Sequence, residues 1–242
     1  MSLTAITIEG TLASTYARNV KVLGYGKGAK RGRNLVVPFR DGEWTQNPKW
    51  FTGSNLVLEV MLKTTPSPEE NLSDLVAAFH TTQTTSTITA THPFAGAIRC
   101  EVEMLRPPVQ SQSNPNIYRF PLRNPDGMWE DASASSNAGN PPAAVTLTGD
   151  LPVDDFTLTY AGAGFLEHTA SDGTVSRITL ESGVPASTIV DLGNRTVTQG
   201  GSDYDALVTI TQPWWMRFEP GATQSFTSDV SVTVSWRNHW AV

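Results

Sequence analysis

The sequence contains one cysteine and few charged residues. Because Cys100 has no second cysteine to pair with, no internal disulfide stabilises the fold, and we expect the chain to be made in a reducing cytoplasm. Charged residues make up 17% of the chain, below the average of about 25%. Few charges, abundant Thr and Ser, 19 Gly and 16 Pro are typical of short β-strands joined by turns.

Targeting and membrane-spanning patterns are missing from the sequence. The first nine residues carry no basic region and already contain an acid at Glu9, which is untypical of a secretory signal. The longest apolar runs are stretches such as Leu75 to Phe79, far short of the roughly 18 residues that a membrane span needs. The sequence therefore predicts no association with a membrane.

Residue spacings typical of metal and catalytic sites are missing as well. The four histidines lie far apart, at His80, His92, His168 and His239. Neither His-x-His nor His-Glu-x-x-His occurs, and one cysteine cannot make a thiolate zinc site. The carboxylates of Asp154 and Asp155, and of Glu101 and Glu103, show no sign of a buried pair suited to acid–base catalysis. We therefore predict no catalytic residues, no cofactor and no metal.

One glycine-rich segment has the formal spacing of a dinucleotide-binding turn. Residues Gly24 to Ala29 fit G-x-G-x-x-A, but that turn must open a helix inside a βαβ unit. Here it runs into Lys30-Arg31-Gly32-Arg33 and then a predicted strand. We interpret the segment as a flexible glycine loop, not as a nucleotide site.

The first half of the chain predicts strands around one helix. The segment Ser67-Pro68-Glu69-Glu70 has the form of a capping box with proline at the first helical position. After it, Leu72, Leu75, Val76 and Phe79 form one apolar stripe at helical spacing, which predicts a helix over about 68–80. The nearly continuous apolar run Leu56 to Leu62 predicts a strand buried on both faces.

The second half predicts an antiparallel β-sandwich. Short runs of alternating apolar residues recur at roughly 8–12 residues between turn sequences. Residues 126–143 separate the halves, and they contain almost no apolar residues except Met128 and Trp129. We therefore predict a first domain over 1–125, a linker or surface loop over 126–143 and a sandwich over 144–242. Met128 and Trp129 are expected to pack against one of the two domains and so attach the loop to it.

Basic residues are concentrated near the start of the chain. Residues 1–49 contain eight basic and three acidic residues, a balance of about +5, whereas the remainder is about −11. Opposite charges at the two ends favour association between subunits, although a solvated basic loop is an equally simple explanation. Within this region we expect Lys27, Lys30, Arg31 and Arg33 to contact an adjoining subunit or a tube-forming protein of the same assembly, with DNA as the less favoured partner.

Seven tryptophans are present, and most are expected to fill sandwich cores. Trp214 and Trp215 are adjacent, and neighbours on a strand face opposite ways. One of the two is therefore a candidate for an outward aromatic platform that stacks on a sugar ring or a protein, although a covered edge residue is the slightly favoured explanation.

An ordered set of short motifs carries a family resemblance. They are Arg31-Gly32-x-Asn34-x-Val36-Val37-Pro38-x-Arg40-Asp41-Gly42, Gly149-Asp150-x-Pro152, Ile189-Val190-Asp191-x-Gly193-x-Arg195-x-Val197, Trp215-x-x-Phe218-Glu219-Pro220-Gly221 and Val232-x-Val234-x-Trp236-Arg237. In this order they resemble the distal tail proteins of long, non-contractile-tailed bacteriophages.

The resemblance implies a specific architecture and role. The fold would be an N-terminal β-rich belt domain with one helix, closing into a six-fold ring, and a C-terminal galectin-like sandwich outside it. The partners would be other copies of the chain, the tail tube protein, the tape-measure protein and the tip or baseplate hub protein. DNA would only pass through the lumen of the ring. The protein would be a structural adaptor in the virion, at the phage tail tip, made in the host bacterial cytoplasm.

Two alternatives remain open at this point. One is a lectin-like tail protein that binds the host surface, although the galectin sugar-binding strings His-x-Asn-Pro-Arg and Trp-Gly-x-Glu-x-Arg are missing from this sequence. The other is a tail-tube or fibre subunit.

Overall fold

The computed structural model describes residues 3–23, 34–36, 43–45, 54–79, 85–170, 173–211 and 216–240. The chain is mainly β with one helix in this part, and its sheets are antiparallel, as the sequence predicts. It divides into two compact units, the first ending at Ala132 and the second spanning Ser133–Trp240. None of the described helices is both long enough and apolar enough to cross a membrane.

The first unit contains the helix α1 (Pro68–Phe79) and a short 3-10 helix (Ala13–Thr15). Its strands are β1 (Thr4–Ile8), β2 (Thr11–Leu12), β3 (Ala17–Leu23), β4 (Asn34–Val36), β5 (Glu43–Thr45), β6 (Ser54–Leu62), β7 (Ser86–His92), β8 (Gly96–Met104), β9 (Val109–Gln110), β10 (Ile117–Asn124) and β11 (Trp129–Asp131).

These strands build one curled sheet. The strand order is β2-β1-β7-β8-β10-β6-β3, with β9 beside β10 and β11 beside β8, while β4 and β5 pair with each other. The strand β6 corrects one prediction. Alternate residues such as Leu58 and Val60 are fully buried, but Val57, Glu59 and Met61 between them are only half-buried, so the strand is fully buried on one face, not on two.

The helix α1 begins as the capping sequence predicts. The backbone N–H of Glu70 donates to Ser67 Oγ at 3.1 Å. Along the predicted stripe, Leu75 and Phe79 are buried, and the Phe79 ring stacks on Phe120 of β10 at 5.5 Å. Asn71 was not part of the predicted stripe, yet it is buried with them.

Asn71 ties the helix to the segment that precedes it. Its side-chain amide nitrogen lies 2.8–3.1 Å from the carbonyl oxygens of Lys63, Thr65 and Ser67. These carbonyls belong to the turn between β6 and α1, and the carbonyl of Ser67 also accepts the backbone N–H of Asn71 at 3.1 Å. A polar residue inside the apolar stripe is therefore explained by backbone groups that need donors.

Replacing Ser67 with alanine is expected to destabilise the first unit by about 1 kcal/mol, since it removes the side-chain acceptor of the Glu70 N–H. Chemical denaturation measures the change. Replacing the exposed Ser73 of the same helix with alanine is the control, and should change stability little. Equal effects of the two substitutions would show that the cap adds nothing.

The second unit contains the remaining strands and a 3-10 helix (Asp205–Leu207). Its strands are β12 (Ser135–Gly139), β13 (Val145–Thr146), β14 (Thr157–Tyr160), β15 (Gly164–Thr169), β16 (Val175–Leu180), β17 (Thr188–Asp191), β18 (Thr196–Gln199), β19 (Ser202–Asp203), β20 (Val208–Thr211), β21 (Thr223–Ser228), β22 (Val232–Trp236) and β23 (His239–Trp240).

Two antiparallel sheets form a sandwich in this unit. One has the order β12-β22-β14-β17-β18-β19 and the other β13-β21-β15-β16-β20. A single cluster of buried side chains draws on both sheets, including Leu158 and Val234 from the first and Leu166 and Ile178 from the second. The predicted sandwich is therefore present.

Two segments differ from the sequence predictions. Residues 126–143 were predicted as a linker or loop, but they contain β11 and β12, and β12 pairs with β22 along its whole length. Trp129 is buried, as its apolar character predicts. The strand β21 was not predicted at all, although it joins β13 to β15. The division into a belt domain and a galectin-like domain remains a prediction.

Candidate assembly surface

The described histidines have structural partners. The ring of His92 is buried at the end of β7, and its Nδ1 accepts the backbone N–H groups of Phe94 and Ala95 at 3.3 and 3.1 Å. The ring therefore holds the β7–β8 turn in one conformation. Phe94, the next aromatic residue in that turn, is 78% exposed.

His168 belongs to the aromatic core of the sandwich. Its ring is buried beside Phe218 and Phe226, with ring centroids 5.4 and 5.8 Å apart. The amide nitrogen of Gln224 donates to two backbone carbonyls, so its Oε1, 2.7 Å from His168 Nε2, is an acceptor. The histidine Nε2 consequently carries the proton.

His239 pairs with a carboxylate in the second unit. Its Nε2 lies 3.1 Å from Asp155 Oδ1, and its Nδ1 lies 3.0 Å from the carbonyl oxygen of Pro152. Burial alone would raise the pKa of Asp155. The hydrogen bond and positive charge of His239, with a smaller contribution from Arg237, outweigh burial, and the pKa of Asp155 is lowered from its ordinary value.

This pair predicts a pH dependence of stability. A lowered folded-state pKa means that Asp155 stabilises the fold above the ordinary aspartate pKa of about 3.9. That stabilisation is lost as the pH falls through the lower folded-state pKa. We expect Asp155→Asn to be less stable than the wild type at neutral pH and the difference to shrink on acidification. Denaturation midpoints measured from pH 7 to pH 3 test this, with the exposed Asp74→Asn as control; a difference that is constant with pH would contradict it.

Cys100 has the properties of a packed thiol. It is buried in β8, and burial raises its pKa, with Glu101, Glu130 and Asp126 adding to the rise. A thiol with a raised pKa carries little thiolate, which is the nucleophilic form. Cys100 is therefore a poor nucleophile, as its sequence context predicts.

The predicted interface residues cannot be placed. Lys27, Lys30, Arg31 and Arg33 lie outside the described residues, and so do Trp214 and Trp215. His80 lies outside them as well.

The strand β3, which precedes the basic residues Lys27, Lys30, Arg31 and Arg33 in the sequence, is described and is itself basic. Arg18 and Lys21 are exposed on it, and Lys21 lies opposite Glu59 of β6 in the register. Glu59 in turn accepts a hydrogen bond from Arg119 Nε of β10 at 2.9 Å. Among the described strands, β3 is the last of its sheet, so this basic strand is an edge.

A groove separates this edge from the other end of the sheet. The sheet curls so far that β3, its last described strand on one side, and β1, which is next to the two-residue end strand β2 on the other, line the same groove of about 170 Å³. Leu3, Ile6 and Ala17 are buried in it, and Leu12 is 49% exposed. The 3-10 helix that connects β2 to β3 also contributes to the groove through Ser14.

Both strands beside the groove are irregular there. The register of β1 with β7 shifts between Thr4 and Thr7, and that of β3 with β6 shifts between Ala17 and Asn19. Within the first shift Ala5 has a φ of 48°, in the left-handed region that residues with a side chain rarely adopt. β-Bulges bend strands and end their pairing. Because position 5 is alanine and not glycine, the amino-acid sequence does not indicate this left-handed conformation.

Among known proteins, this chain matches solved structures but no family model and no curated sequence. Seven chains of solved structures match. One is the Dit protein (gp 19.1) of phage SPP1, described as a paradigm of the hub adsorption apparatus in phages that infect Gram-positive bacteria.

The two folds agree over nearly their whole lengths. The TM-score is 0.69 over 97% of this chain and 98% of SPP1 Dit, at 12% sequence identity. At this identity the similarity is one of fold. The predicted resemblance to phage distal tail proteins is confirmed at that level, and both units of this chain contribute to it.

Proposed function

We propose that this protein is a structural component of a phage tail tip and that its first unit closes into a six-fold ring. The observation that carries the proposal is the fold shared with SPP1 Dit over 97% of this chain. The ordered sequence motifs also support it, because they occur in the same order along the chain as in phage distal tail proteins.

In this role the protein is an adaptor and not an enzyme. The ring would join the tail tube protein to the tip or baseplate hub protein, would enclose the tape-measure protein, and would let DNA pass through. The protein would be part of the virion, assembled in the host bacterial cytoplasm. Its second unit would lie outside the ring as a galectin-like docking module.

The mass and shape of the purified protein test the proposal. Six chains of 26.2 kDa give an assembly of about 157 kDa, which mass photometry distinguishes from a monomer. Negative-stain images should show a six-fold annulus with an open centre. A protein that stays monomeric at high concentration and binds glycans on an array would instead favour the lectin-like alternative.

A further inference from the structure

We propose that the groove between β1 and β3 receives an extended segment from the second unit of another copy of this chain. The inference rests on the proposed function in one respect, since it requires copies to associate. It goes beyond that function by naming the surface and the chemistry of its partner.

The groove is bordered by strand edges that lack a full-length partner among the described strands. Among the described strands, β3 ends its sheet on one side, and β2 covers β1 only at Thr7 and Ile8. The edge of β1 at Leu3–Ile6 therefore faces the groove. Open edges present backbone N–H and C=O groups in a row, and an extended chain can pair with them.

The size of the groove suits a side chain better than a small molecule. Sites for small ligands usually occupy about 300–1,000 Å³, whereas this groove has about 170 Å³. Its buried lining includes Leu3 and Ile6, and Val20 beside them is half-buried. One apolar side chain of an inserted segment would be held here while its backbone pairs with the edges.

Charge indicates which segment fits. Arg18 is the one charged residue among the described residues that line the groove, and the whole stretch of residues 10–40 has seven basic residues and no acid. The second unit is the acidic part of the chain, with 11 acidic and 4 basic residues over Ser133–Trp240. A segment from that unit brings carboxylates to a basic edge, whereas a second copy of the basic edge would be repelled.

The proposed contact joins two different surfaces. A contact between unlike surfaces of identical subunits repeats from copy to copy, and it closes into a ring when the rotation permits. A basic groove on the first unit and an acidic second unit supply such a pair on every chain. The contact therefore fits a ring better than a symmetric dimer.

Filling the groove tests the proposal directly. Ser14 is exposed and lines the groove, so Ser14→Trp places an indole where the inserted side chain would lie. We expect self-association, measured by mass photometry over a concentration series, to weaken by at least about tenfold. The control is Gln112→Trp, an exposed position of the same unit away from the groove, which should associate like the wild type.

A second variant keeps the test valid if Ser14→Trp does not fold. Arg18→Glu leaves the groove open but reverses its charge. It should weaken association by a similar factor and should reduce the dependence of association on salt, because an attractive contact has been removed. Association equal to the wild type in every folded groove variant would overturn the proposal.

Cross-linking identifies the occupant. A photoreactive phenylalanine at position 14 in light-isotope chains, mixed with heavy-isotope chains, should produce cross-links to heavy peptides from 133–240. Cross-links only within one chain, or only to the first unit, would overturn the proposal.

The results of these experiments distinguish failure of the groove proposal from failure of the proposed six-fold ring. An annulus that Ser14→Trp does not affect would leave the ring standing and overturn the groove. Association into another number of copies, weakened by Ser14→Trp, would support the groove and contradict the six-fold ring. A wild-type protein that never associates would overturn both.

Discussion

Replacing Phe218 with alanine is expected to lower the free energy of unfolding of the second unit by about 3–5 kcal/mol, the usual loss for a buried phenylalanine. Phe218 is fully buried, and its ring stacks on Phe156 with centroids 3.9 Å apart. The rings of Phe226 and His168 lie on its other sides at 5.8 and 5.4 Å. The alanine variant would therefore leave a cavity bounded by rings that cannot all move inward.

The backbone of Phe218 adds to its importance. Its N–H and C=O pair with Val153 at 2.9 and 3.0 Å, so the residue connects two chain segments as well as filling the core.

The matched control is Phe165→Ala, where a half-buried ring on the outer face is covered by Arg177 at 3.7 Å. That loss should be smaller, about 1–2 kcal/mol, from the partial burial of the ring and its contact with Arg177. Similar losses in the two variants, measured by urea denaturation, would show that the aromatic cluster does not dominate the core.

The position of Phe218 also explains part of the sequence resemblance. It lies in the motif Trp215-x-x-Phe218-Glu219-Pro220-Gly221. The backbone carbonyl of Glu219 accepts a hydrogen bond from the side-chain amide of Gln224. Gln224 in turn holds His168 in the core. A motif that is weak as a sequence pattern thus corresponds to one connected packing unit.

The strand β21 shows why some elements could not be predicted. Its inward residues are Gln224 and Phe226, and its outward residues are Thr and Ser. Gln224 is buried because His168 and two backbone carbonyls satisfy its amide. A hydropathy pattern counts that position as polar, so the alternation that marks a strand disappears. The helix α1 had no such ambiguity, because its cap and its stripe are local.

For the groove between β1 and β3 and its basic edge strand, the sequence predicts the charge but not the shape. The excess of basic residues near the N-terminus is visible in the sequence, and Arg18 and Lys21 of β3 continue it onto a described edge strand. The groove itself depends on the curl of the sheet, which brings β1 and β3 together although four strands separate them in the sheet order. Ala5 adopts its left-handed conformation within that arrangement, and no local sequence feature indicates it.

Reversing the charge of Lys27, Lys30, Arg31 and Arg33 together is expected to abolish assembly while leaving the protein folded. These residues follow directly after β3 within a stretch, residues 10–40, that contains no acid. The second unit of each chain has an excess of seven acids over bases. Subunits that bring these parts together would gain attraction at each contact, and four reversed charges on every chain would turn it into repulsion.

The experiment must separate subunit contacts from DNA contacts, because both weaken with salt. Assembly is therefore measured without DNA, by the mass of the purified variant and by its incorporation into tubes of the tail tube protein. The control is Arg106→Glu, an exposed basic position of the first unit that lies outside this stretch. If the four-residue variant still forms rings and only the passage of DNA changes, these four residues would contact DNA in the lumen and not the neighbouring subunit.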